Sequence, residues 1–305
     1  MDKQINETLV SGTIKVRETR VFCFCDVNSR SDPYGKKTVD TAFSVSAPTA
    51  AVAEEKCCYL KMRLDKNHYA DTISDELLPN KIFETSALMV NQSSGYDIQY
   101  QYNKVHNLKL AGKAINKVLI RPKETFSFYW LVRNADKKEP YKDGLNLVDG
   151  KIIGSYGGGL CQLSNLLFWC FLHTPLTIVE RHGHAVESFP STTEDLPKGT
   201  DATVSEGWCD LQVRNDTDNT FQIEVAFDES NIYGRIYTAE PVTKEYSIYN
   251  SSVTYVRQNG KIFQMAEVCR TETDTISGKT MKHLLYTNKC EITYLLPEGM
   301  EVQEK

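Results

Sequence analysis

The sequence has no C-x-x-C pair, no long apolar run and no basic stripe, and each absence removes a class of function. Its nine cysteines fall at irregular spacing, so neither a zinc ribbon nor a dithiol redox motif can be read from them. Cys23-x-Cys25 and Cys57-Cys58 find no second matched pair, and the plain reading is of small buried apolar residues. Unpatterned cysteines read as reduced thiols, which places the protein in the cytoplasm. Met1 is followed by the polar residues Asp2, Lys3, Gln4 and Asn6 rather than by the apolar segment of a secretory signal. The most apolar window, Leu160 to Val179, is interrupted by Gln162, Ser164, Asn165, His173, Thr174 and Pro175. A membrane span needs about 20 predominantly apolar residues, so the window reads as a core helix followed by a strand. Forty acidic against 35 basic residues give a net charge of −5, which disfavours a nucleic-acid partner.

The composition is otherwise globular, 41% hydrophobic and 25% charged over 305 residues. Thr13–Val16, Val21–Cys25 and Cys57–Leu64 read as strands, the last because Cys58, Leu60, Met62 and Leu64 alternate. A polar stretch ending at Pro79 suggests a boundary: a β-rich N-terminal extension or small domain over 1–80, then a larger domain over 81–305. Asn103 reads as the cap of a helix whose apolar face carries Val105, Leu108, Ala111 and Ile115. Val118–Arg121 reads as a strand ended by Pro122, and Thr125–Val132 as a strand with an aromatic face of Phe126, Phe128 and Trp130. Asp149-Gly150 between apolar runs predicts a hairpin. A buried helix comes next over Cys161–His173, stopped by Pro175, and then a strand over Leu176–Glu180. Leu211–Val213 and Phe221–Phe227 bracket Asn215–Asn219 as a second hairpin, with more alternating stretches from Tyr246 to Tyr294 and a turn at Asn259-Gly260. The fold class is α+β: mostly antiparallel strands and hairpins around one or two buried helices, with a β-rich N-terminal region.

The chemistry of the chain concentrates at Gly157-Gly158-Gly159-Leu160-Cys161. Glycines let a ligand approach the backbone, and a cysteine in a first helical turn meets N–H groups and a dipole end that favour its thiolate. His182 and His184, two apart on a strand with Glu180, are the nearest candidate bases. Glu180 or Asp201 can orient an imidazole, and Gln162 can offer an oxyanion donor. On this reading Cys161, His182, His184, Gln162 and Glu180 form a catalytic set. A second reading leaves the thiol aside: the glycine turn and helix start, with Gly157, Gly158, Gly159, Ser164 and Asn165, grip a carboxylate or phosphate. A third makes His-x-His the start of a metal site, although no metal-binding motif accompanies it. The plainest alternative makes Cys161 a small buried residue at a tight helix start. No cofactor is expected.

Several blocks, in order, resemble the VanW family: Asn103–Ala111, Pro122–Phe128, Gly157–Asn165, Glu180-Arg181-His182-x-His184, Ala202-Thr203-Val204 and Asp210–Thr217. The resemblance covers about 82 to 296 and departs at Lys123, where the family usually has glycine, and at Gly183 between the histidines. It implies a bacterial protein linked to glycopeptide resistance and to cell-wall peptides ending in D-alanyl residues. With the local chemistry, it gives an expectation of a cysteine-dependent hydrolase or acyltransferase acting on a small-molecule or peptide substrate such as a wall precursor. The alternative is a non-catalytic module that binds such a precursor.

Overall fold

A computed structural model describes residues 58–148, 151–187, 196–297 and 299–304. The predicted strands at 13–16 and 21–25, together with Cys23, Cys25 and Cys57, lie outside the described residues. Helix α1 covers 58–64 and corrects the strand expected there. The alternation was misleading, because Leu60 and Leu64 are 56% and 75% exposed and only Met62 is buried. Strand β1 (His68–Tyr69) then pairs in parallel with β4 (Glu124–Ser127), and Ala70 enters the main core. Residues 68–70 are therefore built into the same sheet and core as the chain beyond residue 80.

Strand β2 (Asn80–Leu88) leads to helix α2 (Ile98–Ile115). Its cap is Asp97, whose carboxylate accepts from Gln99 N at 2.9 Å. Asn103 instead lies inside the helix and donates to Asp143 O at 2.8 Å. The predicted apolar face holds, with Leu108, Ala111 and Ile115 fully buried. Strand β3 (Leu119–Ile120) and β4 come next. The strand expected to continue to Val132 breaks at Ser127. Its hydroxyl accepts from Trp130 N at 3.1 Å and starts the short helix α3 (Phe128–Val132), a capping role for which serine is well suited.

Strands β5 (Asp143–Val148) and β6 (Lys151–Tyr156) form the expected hairpin, pairing Val148 with Lys151 across two residues. Helix α4 (Cys161–Leu172) is the hub of the core. Eleven of its residues are buried, as a helix apolar on nearly all sides past its first turn requires. Gly234 lets a neighbouring strand, β11 (Asn231–Thr238), come so close that an added Cβ would lie 2.9 Å from Cys170 Sγ. Phe171 packs on Phe126 of β4 with ring centroids 4.9 Å apart.

Two four-stranded sheets flank this core, ordered β2-β11-β10-β3 and β1-β4-β9-β7. Here β7 is Thr177–Glu180, β9 is Gln212–Arg214 and β10 is Phe221–Phe227. Strands β9 and β10 do not form the hairpin expected of them; they belong to different sheets. Asn215 diverts the chain: fully buried, it donates to Ile120 O at 2.9 Å and Asn219 O at 2.7 Å. A third sheet is the long meander β12 (Lys244–Gln258), β13 (Lys261–Asp274) and β14 (Thr280–Ile292), with β8 (Val186–Glu187) and β15 (Val302–Glu304) on its edges. Its first turn is Asn259-Gly260, with φ of 52° and 76°, the positive angles a two-residue hairpin of the primed kind demands. The architecture is α+β with mostly antiparallel pairing. No helix among the described residues is long and apolar enough to cross a membrane.

Candidate functional site

The three glycines are each held by the chain itself. Gly157 and Gly159 have φ of 70° and 96°, which side chains rarely adopt. Gly158 meets backbone on backbone: a Cβ there would lie 2.2 Å from Gly144 C. Asn107 seals the approach from α2, donating to Gly158 O at 3.0 Å and Lys142 O at 2.8 Å while accepting from Lys142 N at 2.8 Å. A Cβ at Gly159 would strike the Lys104 side chain at 2.2 Å. Gly144 and Lys104 fill the space beside Gly158 and Gly159, whereas an added Cβ at Gly157 would meet only Tyr141, at 3.6 Å.

The start of α4 is equally occupied. Leu160 has no side-chain cap bond, yet three N–H groups of the first turn are bonded: Gln162 N to Gly159 O at 3.1 Å, Leu163 N to Leu160 O at 3.0 Å and Ser164 N to Leu160 O at 3.2 Å. Three of the donors that could make this helix N-terminus an anion site are thus engaged within the chain. The Gln162 side chain donates to Leu88 O at 2.7 Å, tying α4 to β2. Ser164 donates to Ala202 O at 2.6 Å, and Asn165 Oδ1 accepts from Ala202 N at 2.6 Å. Ser164 and Asn165 therefore bind Ala202 to this otherwise apolar helix.

Cys161 is 1% exposed. Its sulfur lies 3.4 Å from Thr203 Oγ1 and 3.6 Å from Val204 O, and it is one half of a disulfide. That bond departs from the all-thiol expectation, whereas Cys170, Cys209, Cys269 and Cys290 are free and buried. Thr203 N donates to His182 O at 2.8 Å in an isolated bridge. Thr203 thus joins Cys161 to the histidine segment.

The two histidines part company because β7 ends at Glu180. His182 meets Glu180 through Nε2 at 2.9 Å, its side chain 42% exposed. Glu180 Oε1 also accepts from Asp210 N at 2.8 Å. His184 turns the other way, its Nδ1 in close contact with Asp201 and its backbone N 2.7 Å from the same oxygen. Asp201 is shared with Arg181 at 2.7 Å. Burial works against its charge, but Arg181 and His184 outweigh burial and hold it well below the usual carboxylate range. Arg181 continues to Asn288 Oδ1 at 2.7 Å and Gly199 O at 2.8 Å and stacks on Tyr286, clasping the meander to the core. Gly183 is needed there, since a Cβ would lie 2.4 Å from Asn288 Oδ1. Among the described residues no group of three His, Cys, Asp or Glu is arranged to hold a metal.

Sequence reasoning passed over Asp210 as a chemical group. Its carboxylate is buried and accepts from Ser127 Oγ, from Tyr129 N at 3.0 Å and from Gln212 Nε2 at 3.1 Å. Burial pushes its pKa up to about 6, those hydrogen bonds pull against the rise, and Glu180 adds to it. The available signal was a lone acid leading directly into the apolar strand Leu211–Val213.

A family model described as "VanW like protein" matches residues 103–237. The chain is similar to "Vancomycin B-type resistance protein VanW" of Enterococcus faecalis (strain ATCC 700802 / V583), 48% identical over 270 residues, covering 88% of this chain and 98% of that one. It is also similar to "Uncharacterized protein YoaR" of Bacillus subtilis (strain 168), 37% identical over 113 residues, covering 37% of this chain and 36% of that one. No solved structure matches it.

Proposed function

Because the chain belongs to the VanW family, we propose that it contributes to resistance against vancomycin-type glycopeptides by binding a peptide of the cell-wall precursor. The observation that carries this reading is the likeness to the enterococcal resistance protein, which spans 98% of that protein. The match takes in 88% of this chain, more than one shared segment.

Binding is favoured over thiol chemistry by the state of Cys161. A cysteine hydrolase or acyltransferase needs an accessible thiolate beside a base. Here the sulfur is buried in a disulfide and touches Thr203, while His182 is engaged with Glu180. The covalent reading would need the disulfide reduced and the Gly157–Cys161 turn opened. Disulfides persist in oxidising compartments and are rare in the cytosol, so this bond supports an oxidising location over the cytoplasm.

The test is complementation. In a host carrying a vancomycin resistance cluster without its VanW protein, this chain should raise the inhibitory concentration of vancomycin. A Cys161→Ser variant, assayed at a temperature where circular dichroism shows it folded, should do so equally. Failure of the unaltered chain to change resistance would remove the proposal; loss of resistance in a stably folded Cys161→Ser would return the thiol to the centre.

A further inference from the structure

Away from the glycine turn, α1 and the end of α3 enclose an open cleft of about 410 Å³, lined by Tyr59, Leu60, Arg63, Arg133 and Asn134. This volume is within the range of small-ligand sites. Tyr59 and Arg63 share a face of α1, being four residues apart. Arg133 is the C-cap of α3, its backbone N–H bonded to Tyr129 O at 3.0 Å. Its guanidinium lies 4.0 Å above the Trp130 ring, and Trp130 stacks in turn on Tyr69 at 5.3 Å. That stack fixes the guanidinium plane at the cleft wall.

Among the described residues neither Arg63 nor Arg133 has a carboxylate within ion-pair distance. Asp71 influences Arg133 only from farther away, and burial pulls the Arg133 pKa below its ordinary value. Glu206, beside the cleft, receives the Tyr59 hydroxyl. In a chain of net charge −5, two neighbouring guanidinium groups that form no ion pair among the described residues leave their hydrogen-bonding forks open to an anion. Guanidinium forks match planar carboxylates in geometry and hold them by paired, charge-assisted hydrogen bonds. Asn134 adds an amide at the rim, and Leu60 offers apolar surface for a small side chain.

We propose that the cleft between α1 and α3 is a receptor for the terminal carboxylate of a short peptide, held by Arg63 and Arg133. This deepens the precursor-binding reading and rests on it for the identity of the peptide. The test uses the full chain, with Trp130 fluorescence and calorimetry as readouts. The probes are N-acetyl-D-alanyl-D-alanine, its C-terminal amide and inorganic phosphate. The acid should bind at least about tenfold more tightly than the amide, since a charged pair in such a site is worth about 1.4 kcal/mol or more. Arg63→Gln and Arg133→Gln should each weaken the acid by a similar factor, and Arg63, on an exposed turn of α1, can be changed without touching the Trp130 stack. Acid and amide binding equally, or both variants binding as the unaltered chain does, would overturn the cleft assignment and leave precursor binding standing. Phosphate binding that depends on the arginines, with neither dipeptide bound, would overturn both. Absence of binding by all three probes would also overturn the assignment.

Discussion

The turn at Gly157–Cys161 and the cleft at Arg63/Arg133 are opposites. The first is conspicuous in sequence and closely packed in space: Gly158 and Gly159 abut Gly144 and Lys104, three N–H groups at the helix start are bonded and the sulfur is paired. The second is inconspicuous in sequence and open in space, with two cations that no described acid pairs. A motif built from unusual residues marks where the chain is most constrained, and in this fold the constraint is packing. Groups free to meet a ligand lie where the chain has left charge unanswered.

The closed region should be the least tolerant of change. Gly158→Val would force a side chain into the Gly144 backbone, so unfolding in urea should show a loss of at least about 4 kcal/mol or no folded protein at all. A mild effect would mean that the turn is looser than described.

Next in size is the buried Asp210, which accepts from Ser127 Oγ and Tyr129 N at the junction of β4 and α3. Its folded pKa of about 6 stands above the ordinary 3.8, so the native state binds its proton more tightly than the unfolded chain does. Its contribution is therefore most favourable below pH 4 and is lost as pH rises to about 6, a change of about 3 kcal/mol. Urea midpoints measured from pH 4 to pH 7 should fall less in Asp210→Asn than in the unaltered chain. Parallel profiles would count against the buried, protonated state.

Lys123 gives a smaller effect of opposite sign. It holds φ of 69°, a left-handed angle that costs a non-glycine residue about 1 kcal/mol. Lys123→Gly should raise stability by about that much in the same assay. The smallest effect belongs to the open region: Arg63→Gln should leave stability within about 0.5 kcal/mol. A large loss there would show that the cleft, too, is structural.

How much could be read from the sequence depends on the range of the forces involved. Helices α2 and α4 and the β5–β6 hairpin were legible because their signals are periodic or local. The strand expected over 125–132 failed at one hydroxyl, since Ser127 caps α3. The hairpin around 215–219 failed because Asn215 sends its two strands into different sheets. At the site, the Glu180–His182 contact was foreseeable from residues two apart on a strand. Asp201 was the other acid expected to orient an imidazole, but its pairing with His184 was not legible, because it depends on where β7 stops and on Arg181 reaching Asn288. Nothing local to Gly158 announces Gly144, which lies against it only after the hairpin has closed.

The central claim is that Cys161 belongs to a closed structural joint and not to a thiol site. Alkylation with iodoacetamide at pH 7, on native protein purified without reductant and followed by peptide mapping, addresses it directly. The account predicts that Cys161 stays unlabelled until the protein is denatured and reduced. Rapid labelling of Cys161 in the native protein, ahead of Cys170, Cys209, Cys269 and Cys290, would contradict it.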